Sequence, residues 1–164
     1  TDLNRVVESA VRVAGSEWHG LAAVSTELDP DLPLVPCLAG GINQVIVNML
    51  VNAAHAIEAR GAGPPGRIVV STRQAGDAAE IRITDNGTGM SEDVRARVFD
   101  PFFTTKDVGR GTGQGLAIAH GVVKKHSGSI AVDSERGRGT CFTIRLPLAA
   151  PPVRRESAPG ASGR

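Results

Sequence analysis

The feature that most limits how this chain can fold is a run of glycines directly before an apolar helical pattern. Glycines stand at positions 109, 111, 113 and 115, and the helical pattern begins at Leu116. Four glycines at alternate positions cannot form a packed strand, because they offer no side chains to bury. Their backbone lets successive N–H groups turn toward one anion, and a following helix N-terminus adds unpaired N–H groups. The pattern predicts a phosphate-binding loop, and a flexible surface loop is the alternative.

This loop matches neither of two familiar phosphate-binding motifs. A Walker loop ends in Gly-Lys-Ser/Thr, and the sequence contains no Gly-Lys pair. A dinucleotide fingerprint follows an apolar strand, whereas the residues before these glycines, Thr104-Thr-Lys-Asp107, are polar. The kind of phosphate loop must therefore be judged from the rest of the sequence.

Composition argues against several classes of protein. The 164 residues are enough for one domain with its own core, and a net charge of +1 with 3% aromatic residues argues against a nucleic-acid partner. Cys37 and Cys141 lie far apart with no histidine at metal-ligand spacing, which favours two reduced cysteines in a cytoplasmic protein. No apolar run approaches the length of a membrane span, so we expect no membrane contact by this chain. Because the sequence begins with Thr1, we expect a piece of a longer protein.

Periodicity and turn residues predict a mixture of helices and strands. The predicted helices cover most of residues 1–18, where Gly15 is expected to end the helix, and then residues 41–60, 91–98 and a segment from Leu116 onward. The predicted strands are residues 21–28, 68–72, 80–84, 129–132 and 140–146. We expect hairpins across Gly76-Asp77 and across Gly137 and Gly139. From Pro147 onward the chain lacks periodicity, which predicts a disordered tail.

Three polar residues accompany the apolar stripe of the strongest helix, residues 41–60. Asn48, Asn52 and His55 are spaced i, i+4 and i+7, which places them on one face. Neutral amides beside a buried stripe are costly unless bonded, and two amide oxygens one turn apart suit Mg²⁺ that keeps waters and nucleotide phosphates as its other ligands. Ordinary helix-surface polarity is the alternative. The stripe itself consists of Ile42, Val45, Ile46, Met49, Ala53, Ala56 and Ile57.

An aspartate ends the strand predicted at residues 80–84 and opens the sequence Asp85-Asn-Gly-Thr-Gly89-Met. Simple turn chemistry is one interpretation. In the functional interpretation, the carboxylate accepts a hydrogen bond from the exocyclic amine of adenine. Guanine carries a carbonyl at that position and would leave a buried carboxylate unpaired, so such a site selects ATP over GTP.

Scarce aromatic residues are concentrated shortly before the glycine loop. Three of the four phenylalanines fall within Phe99-Asp-Pro-Phe-Phe103. A hydrophobic anchor for a movable lid is one interpretation, and core filling is the other.

Taken together, these segments resemble the ATP-binding domain of sensor histidine kinases in the GHKL superfamily, over roughly residues 20–147. The sequence Asn48-Met-Leu-Val-Asn52-Ala-Ala-His-Ala56 resembles the N box, and the Asp85 sequence resembles the first glycine box. Phe99-Asp-Pro-Phe-Phe-Thr-Thr-Lys106 resembles the F box, and Gly111-Thr-Gly-Gln-Gly115-Leu the second glycine box. The resemblance implies a two-layer α/β sandwich, with a mixed and mostly antiparallel sheet, helices on one face, and ATP between the helices and a lid.

The resemblance also implies roles for individual residues. Asn52 would be the main Mg²⁺ ligand, and Asn48 a second contact to metal or phosphate. His55 occupies the position of a basic phosphate contact, and Lys106 would reach toward the terminal phosphates. The implied nucleotide contacts are Asp85 to the adenine amine, Gly87 and Gly89 beside the ring, Thr140 on the adenine side, and Gly111, Gly113 and Gly115 in the lid.

One departure separates this chain from the ATP-hydrolysing relatives. Those proteins, such as type II topoisomerase, mismatch-repair and chaperone ATPases, carry a glutamate one turn before the Mg²⁺ asparagine. Here the residue is Asn48, and a neutral amide cannot act as a base. Transfer of the phosphoryl group to a protein is therefore the favoured interpretation. A stand-alone serine kinase of the anti-sigma type and a GHKL ATPase are the alternatives.

The expected acceptor is a histidine on a dimerisation hairpin that precedes this domain and is missing from the chain. Residues 1–18 would be a helical lead-in from that hairpin, residues 19–148 the ATP-binding catalytic domain, and residues 149–164 a disordered tail. The resemblance further implies a response-regulator receiver domain as downstream partner, a homodimeric parent protein and a cytoplasmic location for this domain.

Overall fold

The protein is described by a computed structural model that covers residues 1–18, 20–100 and 115–148. The last residues of the chain, where a disordered tail is expected, lie outside this description. Along the chain the elements are α1 (Leu3–Val13), α2 (Gly15–Trp18), β1 (Ala22–Glu27), α3 (Ala39–Arg60), β2 (Gly66–Ala75), β3 (Ala78–Asp85), α4 (Glu92–Arg97), α5 (Gly115–Lys125), β4 (Ser129–Glu135) and β5 (Gly139–Pro147).

The strands form one sheet in the order β1-β2-β3-β5-β4. β1 pairs with β2 in parallel, and the β2–β3, β3–β5 and β5–β4 pairs are antiparallel. The two expected hairpins are present, and their turns contain Gly76 and Gly137, both with positive φ. The mixed, mostly antiparallel sheet is therefore confirmed.

Helices α1, α3 and α5 pack together, and α3 and α5 lie on one face of the sheet. Side chains alternate between the two faces along each strand: in β3, Ile81, Ile83 and Asp85 are buried whereas Arg82 and Thr84 are exposed. Phe142 and Ile144 of β5 complete the buried layer under α3. The core thus consists almost entirely of aliphatic side chains between helices and sheet, as the low aromatic content requires.

Helix α3 is the centre of the helical layer. It begins two residues before the predicted start and ends at Arg60, where Gly61 takes a positive φ of 74°. The predicted stripe is buried except at half-buried Ala56, and Leu50 and Ala54 are buried as well, because α3 contacts α1 and α5 in addition to the sheet.

The first helix ends differently from the prediction. Gly15 was expected to end it, but α1 ends at Val13 and Gly15 begins the short helix α2. The N–H of Ala14 caps α1 by bonding to the carbonyls of Ala10 and Arg12, so no left-handed glycine is needed. Leu3, Val6, Val7 and Ala10 of α1 belong to the same core as α3.

Helix α4 has a side-chain cap at its N-terminus, and two of the strands are longer than predicted. Ser91 caps α4 by accepting from the Val94 N–H at 3.3 Å, and Glu92 and Asp93 occupy the first turn. β2 and β3 extend beyond the predicted strands at both ends, up to the Gly76 turn. Within the described residues, no helix has the combination of length and hydropathy that crossing a bilayer requires.

Candidate functional site

The site is organised around Asp85, the last residue of β3. Asp85 lies two residues after Ile83, so its side chain is on the same face of the sheet, beneath the helices. Asp85 is only 5% exposed. Carboxylate Oδ1 accepts a hydrogen bond from the Gly87 N–H at 2.8 Å, and Thr140 of β5 is the cross-strand partner. The sheet therefore places one carboxylate at the end of two central strands.

Burial raises the pKa of the Asp85 carboxyl from its ordinary 3.8 to about 6, although the N–H groups of Gly87 and Thr140 act in the opposite direction. The carboxylate form therefore predominates at pH 7. A desolvated carboxylate presents only lone pairs, so it suits a ligand group that donates hydrogen bonds.

The loop after Asp85 packs against the second half of α3. A Cβ on Gly87 would lie 2.6 Å from the Cβ of Ala56, and the Thr88 N–H donates to the Ala56 carbonyl at 3.2 Å. Ala56 follows Asn52 by one helical turn. The structure therefore brings the turn of α3 that carries Asn52 and His55 next to the loop that follows Asp85.

Gly89 is required by protein contacts on the other side of the loop. It has a φ of +69°, and a Cβ there would lie 2.0 Å from the carbonyl oxygen of Glu135 in β4. The sequence interpretation assigned Gly87 and Gly89 to the adenine ring. The structure shows that each glycine is already needed for packing of the loop, and contact with a nucleotide remains a prediction.

Asn86 is an anchoring residue that the sequence interpretation missed. Its Oδ1 accepts from the Arg67 N–H at 2.7 Å and its Nδ2 donates to the Pro65 carbonyl at 2.9 Å. Its own carbonyl accepts from Arg60 Nη1 at 2.6 Å. These bonds fix the loop to the end of α3 and to the start of β2.

Ser134 of β4 was also missed, although its hydroxyl joins three segments around Asp85. Oγ accepts from the Met90 N–H at 2.8 Å, donates to the Gly139 carbonyl at 3.0 Å, and lies 2.8 Å from Thr140 Oγ1. A serine hydroxyl has one hydrogen. Either hydroxyl could donate across the Ser134–Thr140 contact. When the serine hydrogen is directed to the Gly139 carbonyl, Thr140 is the donor, and its Oγ1 then offers only lone pairs to other groups.

On α3, the amide of Asn48 is engaged within the protein. Its Oδ1 accepts from Gln44 Nε2 at 2.9 Å, and its Nδ2 donates to the carbonyl of Gly115, the first residue of α5, at 3.3 Å. Asn52 and His55 are half-buried on the following turns. The three predicted residues therefore share one face of α3, and Asn48 connects that face to the start of α5.

Phe99 anchors the segment that follows α4. Its ring stacks on His120 of α5 with centroids 5.2 Å apart, and it contacts Phe142 edge-on at 6.2 Å. Phe99 thus packs against the core. Whether it also anchors a movable lid remains a prediction, because the following residues lie outside the described part of the chain, and so do Lys106, Gly111 and Gly113 of the predicted site.

A cleft of about 720 Å³ lies between α4 and the β4–β5 hairpin. Asp85, Met90 and Thr140 line it together with charged residues, among them Arg95 and Arg138, whereas the polar residues of α3 do not. Within the described ranges, therefore, the cleft and the amides of α3 do not form one continuous cavity.

A family model described as "Histidine kinase-, DNA gyrase B-, and HSP90-like ATPase" matches residues 38–150 of this chain. The sensor kinase CckA of Brucella abortus (strain 2308) is 38% identical over 156 residues, which cover 85% of this chain and 16% of that protein. The signal transduction histidine-protein kinase AtoS of Escherichia coli (strain K12) is 40% identical over 150 residues, which cover 89% of this chain and 23% of that protein. The chain therefore spans less than a quarter of either relative.

Solved structures agree with these relatives. The mycobacterial sensor histidine kinase MprB matches with a TM-score of 0.77 and 28% identity, covering 92% of this chain and 99% of that chain. The catalytic domain of the histidine kinase ThkA matches with a TM-score of 0.76 and 25% identity, covering 90% of this chain and 93% of that chain.

The mixed sheet with helices on one face and the glycine-containing loop after Asp85 place this protein in the GHKL class of ATP-binding folds. Within that class the chain belongs to the HATPase_c family of histidine kinase-, DNA gyrase B- and HSP90-like ATPases. Its relatives are sensor histidine kinases, and its structural neighbours are histidine kinase catalytic domains. The resemblance inferred from the four sequence motifs is thus confirmed.

Proposed function

We propose that this chain is the catalytic part of a two-component histidine kinase, which binds Mg-ATP and transfers the γ-phosphoryl group to a histidine on a separate dimerisation hairpin. The observation that carries the proposal is the environment of Asp85, a carboxylate that is 5% exposed and ends β3 directly before a loop packed against α3. Such an acceptor suits the exocyclic amine of adenine. It rejects guanine, whose carbonyl would face a buried negative charge.

Thr140 supports the same choice of base. When its hydroxyl hydrogen is directed to Ser134, Thr140 Oγ1 is a second acceptor beside the Asp85 carboxylate. An amine carries two hydrogens, and two neighbouring acceptors match it better than one. We therefore assign both residues to the adenine side of the nucleotide.

The residues of α3 fit a magnesium ion only if the ion arrives with its nucleotide. Within the described residues no three His, Cys, Asp or Glu side chains come together, so a bare ion would find no carboxylate cage. Mg²⁺ that keeps waters and phosphate oxygens needs only one or two protein oxygens, and Asn52 with Asn48 would supply them. When bound between these residues and the nucleotide, such an ion would supply positive charge beside the phosphates.

The other phosphate contacts belong to the same proposal. His55 would face the phosphates from α3, and Lys106 with Gly111, Gly113 and Gly115 would enclose them from the glycine loop. Asn48 remains neutral at every ordinary pH and already bonds to Gln44 and Gly115. It cannot activate water as a base, which favours transfer to a protein acceptor over hydrolysis.

The described histidines are engaged in the fold, which supports an acceptor elsewhere. His120 stacks on Phe99. His126 accepts from the Leu38 N–H through Nε2 at 3.0 Å, and its Nδ1 donates to the Val122 carbonyl at 2.8 Å. In the proposed transfer, an imidazole nitrogen forms a bond to the γ-phosphorus while the bond to the β,γ-bridging oxygen breaks and ADP leaves. A receiver domain would then take the phosphoryl group, and the parent protein would act as a homodimer.

The test supplies the proposed acceptor as a separate protein. A dimerisation hairpin from the parent protein is mixed with this chain, Mg²⁺ and γ-labelled ATP, and the labelled protein is treated with acid. Acid-labile label on the hairpin is expected. Label that survives acid would indicate a serine kinase, and steady phosphate release by the chain alone would indicate an ATPase. Good ATP binding with no transfer to the hairpin would contradict the proposal.

Replacing Ser134 by alanine is expected to weaken ATP binding by about tenfold, because the Met90 N–H and the Gly139 carbonyl lose their partner and the Thr140 hydroxyl is released. The ratio of ATP to GTP affinity should fall as well, which a loss of stability alone would not cause. Calorimetric titration measures both. Ser134→Thr keeps the hydroxyl and Ser129→Ala changes an exposed serine of the same strand, so both should bind like the unchanged chain. A Ser134→Ala variant with unaltered base preference would refute the role.

A further inference from the structure

We propose that the face of the sheet opposite α3 carries a docking surface for an acidic segment of a partner protein, centred on Arg73, Arg82 and Arg145. This surface is distinct from the proposed nucleotide site and does not depend on it. Its residues come from three neighbouring strands, β2, β3 and β5.

The strand register brings the three arginines around one glutamate. Arg73 of β2 pairs directly with Glu80 of β3, and Glu80 pairs directly with Arg145 of β5. Arg82 lies two residues further along β3 and therefore on the same face as Glu80. Ile81 and Ile83, between and beside them, point into the core.

Each guanidinium meets the glutamate through its Nε atom. Glu80 Oε1 lies 2.8 Å from Arg73 Nε and 3.0 Å from Arg82 Nε, and Oε2 lies 3.8 Å from Arg145 Nε. The Glu80 side chain is 5% exposed, whereas those of Arg73, Arg82 and Arg145 are 59%, 48% and 49% exposed. A buried carboxylate therefore holds three guanidinium groups that remain open to solvent.

The glutamate stays ionised in this environment. Burial alone would raise the pKa of its carboxyl, but the hydrogen bonds and charges of Arg73 and Arg82 outweigh burial and hold the pKa below its ordinary value. Glu80 therefore carries one negative charge against three positive ones. One arginine would be enough to neutralise it, so the cluster keeps an excess charge of +2.

This excess charge is held in a geometry suited to carboxylates. Arg73 and Arg82 each bind Glu80 through Nε. Their terminal nitrogens have no partner among the described residues and are therefore available to a ligand. Guanidinium groups bind carboxylates through two parallel hydrogen bonds. Arginines already fixed by Glu80 lose less conformational freedom when they bind, which favours association.

The surroundings point to a protein segment rather than a small ligand. Beside the arginines the same face carries short side chains, Ser71, Thr143 and Ser129, and none of the three arginines lines the 720 Å³ cleft. Small-molecule sites are concave, so three arginines that lie outside this cleft suit a macromolecule better than a small molecule. Arginine is also enriched at protein interfaces.

The charges on the rest of this face indicate which class of partner can bind to it. Glu27 pairs with Ser71, and Asp133 pairs with Cys141, so acidic side chains flank the arginines on both sides. They would repel the continuous negative charge of a nucleic acid or an anionic membrane. A second copy of this chain would present the same positive cluster to itself. A short acidic protein segment, with two or three carboxylates, avoids both conflicts.

The test uses a hexaglutamate peptide as the probe and the Nε–Hε resonances of the arginines as the readout, at low salt. We expect hexaglutamate, and not hexalysine, to shift the signals of Arg73, Arg82 and Arg145. Arg82→Gln should weaken binding at least about fivefold, and Arg82→Lys, which keeps the charge but loses the planar fork, about threefold. Thermal melting confirms that each variant is folded.

Arg5→Gln provides the matched control, because Arg5 is an 86% exposed arginine of α1 and its removal changes the net charge equally. It should leave hexaglutamate binding unchanged. Equal losses for Arg5→Gln and Arg82→Gln would show attraction by overall charge and overturn the proposal. So would equal binding by Arg82→Lys and the unchanged chain, or shifts confined to other arginines.

Discussion

Replacing Asp85 by asparagine is expected to weaken ATP binding by about 100-fold or more, because a buried charge-assisted hydrogen bond is lost and the new amide can present a donor to the donor of the base. The carboxylate is 5% exposed, so water cannot restore the missing contact. Titration of the variant with Mg-ATP measures the loss. Equal affinity in the variant would refute the adenine role of Asp85.

The same substitution should make the unliganded domain more stable at neutral pH. The pKa of Asp85 is about 6 in the folded state against 3.8 as its ordinary value, so ionisation disfavours the fold. The penalty is absent below pH 3.8, grows as the pH rises to 6, and is constant above 6. This pKa difference corresponds to about 3 kcal/mol, and the loss of the strong bond from the Gly87 N–H offsets part of it.

Thermal melting at several pH values tests this linkage. The variant should melt above the unchanged chain at pH 8, and the difference should shrink as the pH falls below 6. Asp133→Asn provides a matched control, because Asp133 is an exposed aspartate on the neighbouring hairpin. A melting difference for Asp85→Asn that stays the same from pH 8 to pH 4 would contradict the burial of an ionised carboxylate.

Replacing Gly139 by alanine is expected to have a large effect on folding. Gly139 has a φ of +105°, and a Cβ there would lie 2.0 Å from the Asp85 carbonyl oxygen and 2.9 Å from the Asn86 Cα. Both obstacles are backbone atoms, so no side-chain rotation relieves the clash. We expect a loss of about 3–5 kcal/mol in the free energy of unfolding, measured in urea.

Gly137 of the same hairpin provides the matched control. It has a φ of +87°, but no atom lies within 4 Å of the place that a Cβ would take. Gly137→Ala should therefore cost only about 1–2 kcal/mol, the penalty of a left-handed conformation for alanine. Equal losses in the two variants would show that the approach of β5 to the Asp85 loop is looser than the structure indicates.

Sequence patterns predicted the elements of this fold well because each depends on local signals. Alternation in β3 and the helical stripe of α3 reflect burial on one side, and Ser91 is a recognisable cap. Gly15 was misread because a glycine after a helix is a frequent terminator, whereas here the Ala14 N–H completes the last turn. A local rule cannot distinguish these two endings.

Residues of the candidate site could be predicted only where they lie close together in the sequence. Asp85 stands at a strand end before glycines, and Asn48 and Asn52 share a helical face, so their grouping could be read directly. Ser134 and Asn86 were missed because their partners lie up to 44 residues away in sequence.

Glu80 was missed for a related reason. A charged residue in a strand reads as solvent-facing, and only pairing with β2 and β5 shows that three arginines surround it and leave its side chain 5% exposed. Sequence patterns alone predict neither the register of these strands nor the burial of the Glu80 side chain.

The most direct test of the central claim is a crystal structure of this chain with Mg²⁺ and a non-hydrolysable ATP analogue. The account predicts the adenine amine at the Asp85 carboxylate with Thr140 beside it, and the metal at Asn52. A nucleotide whose adenine lies away from Asp85, or whose metal lies away from Asn52, would contradict it. So would the absence of bound nucleotide at millimolar concentration.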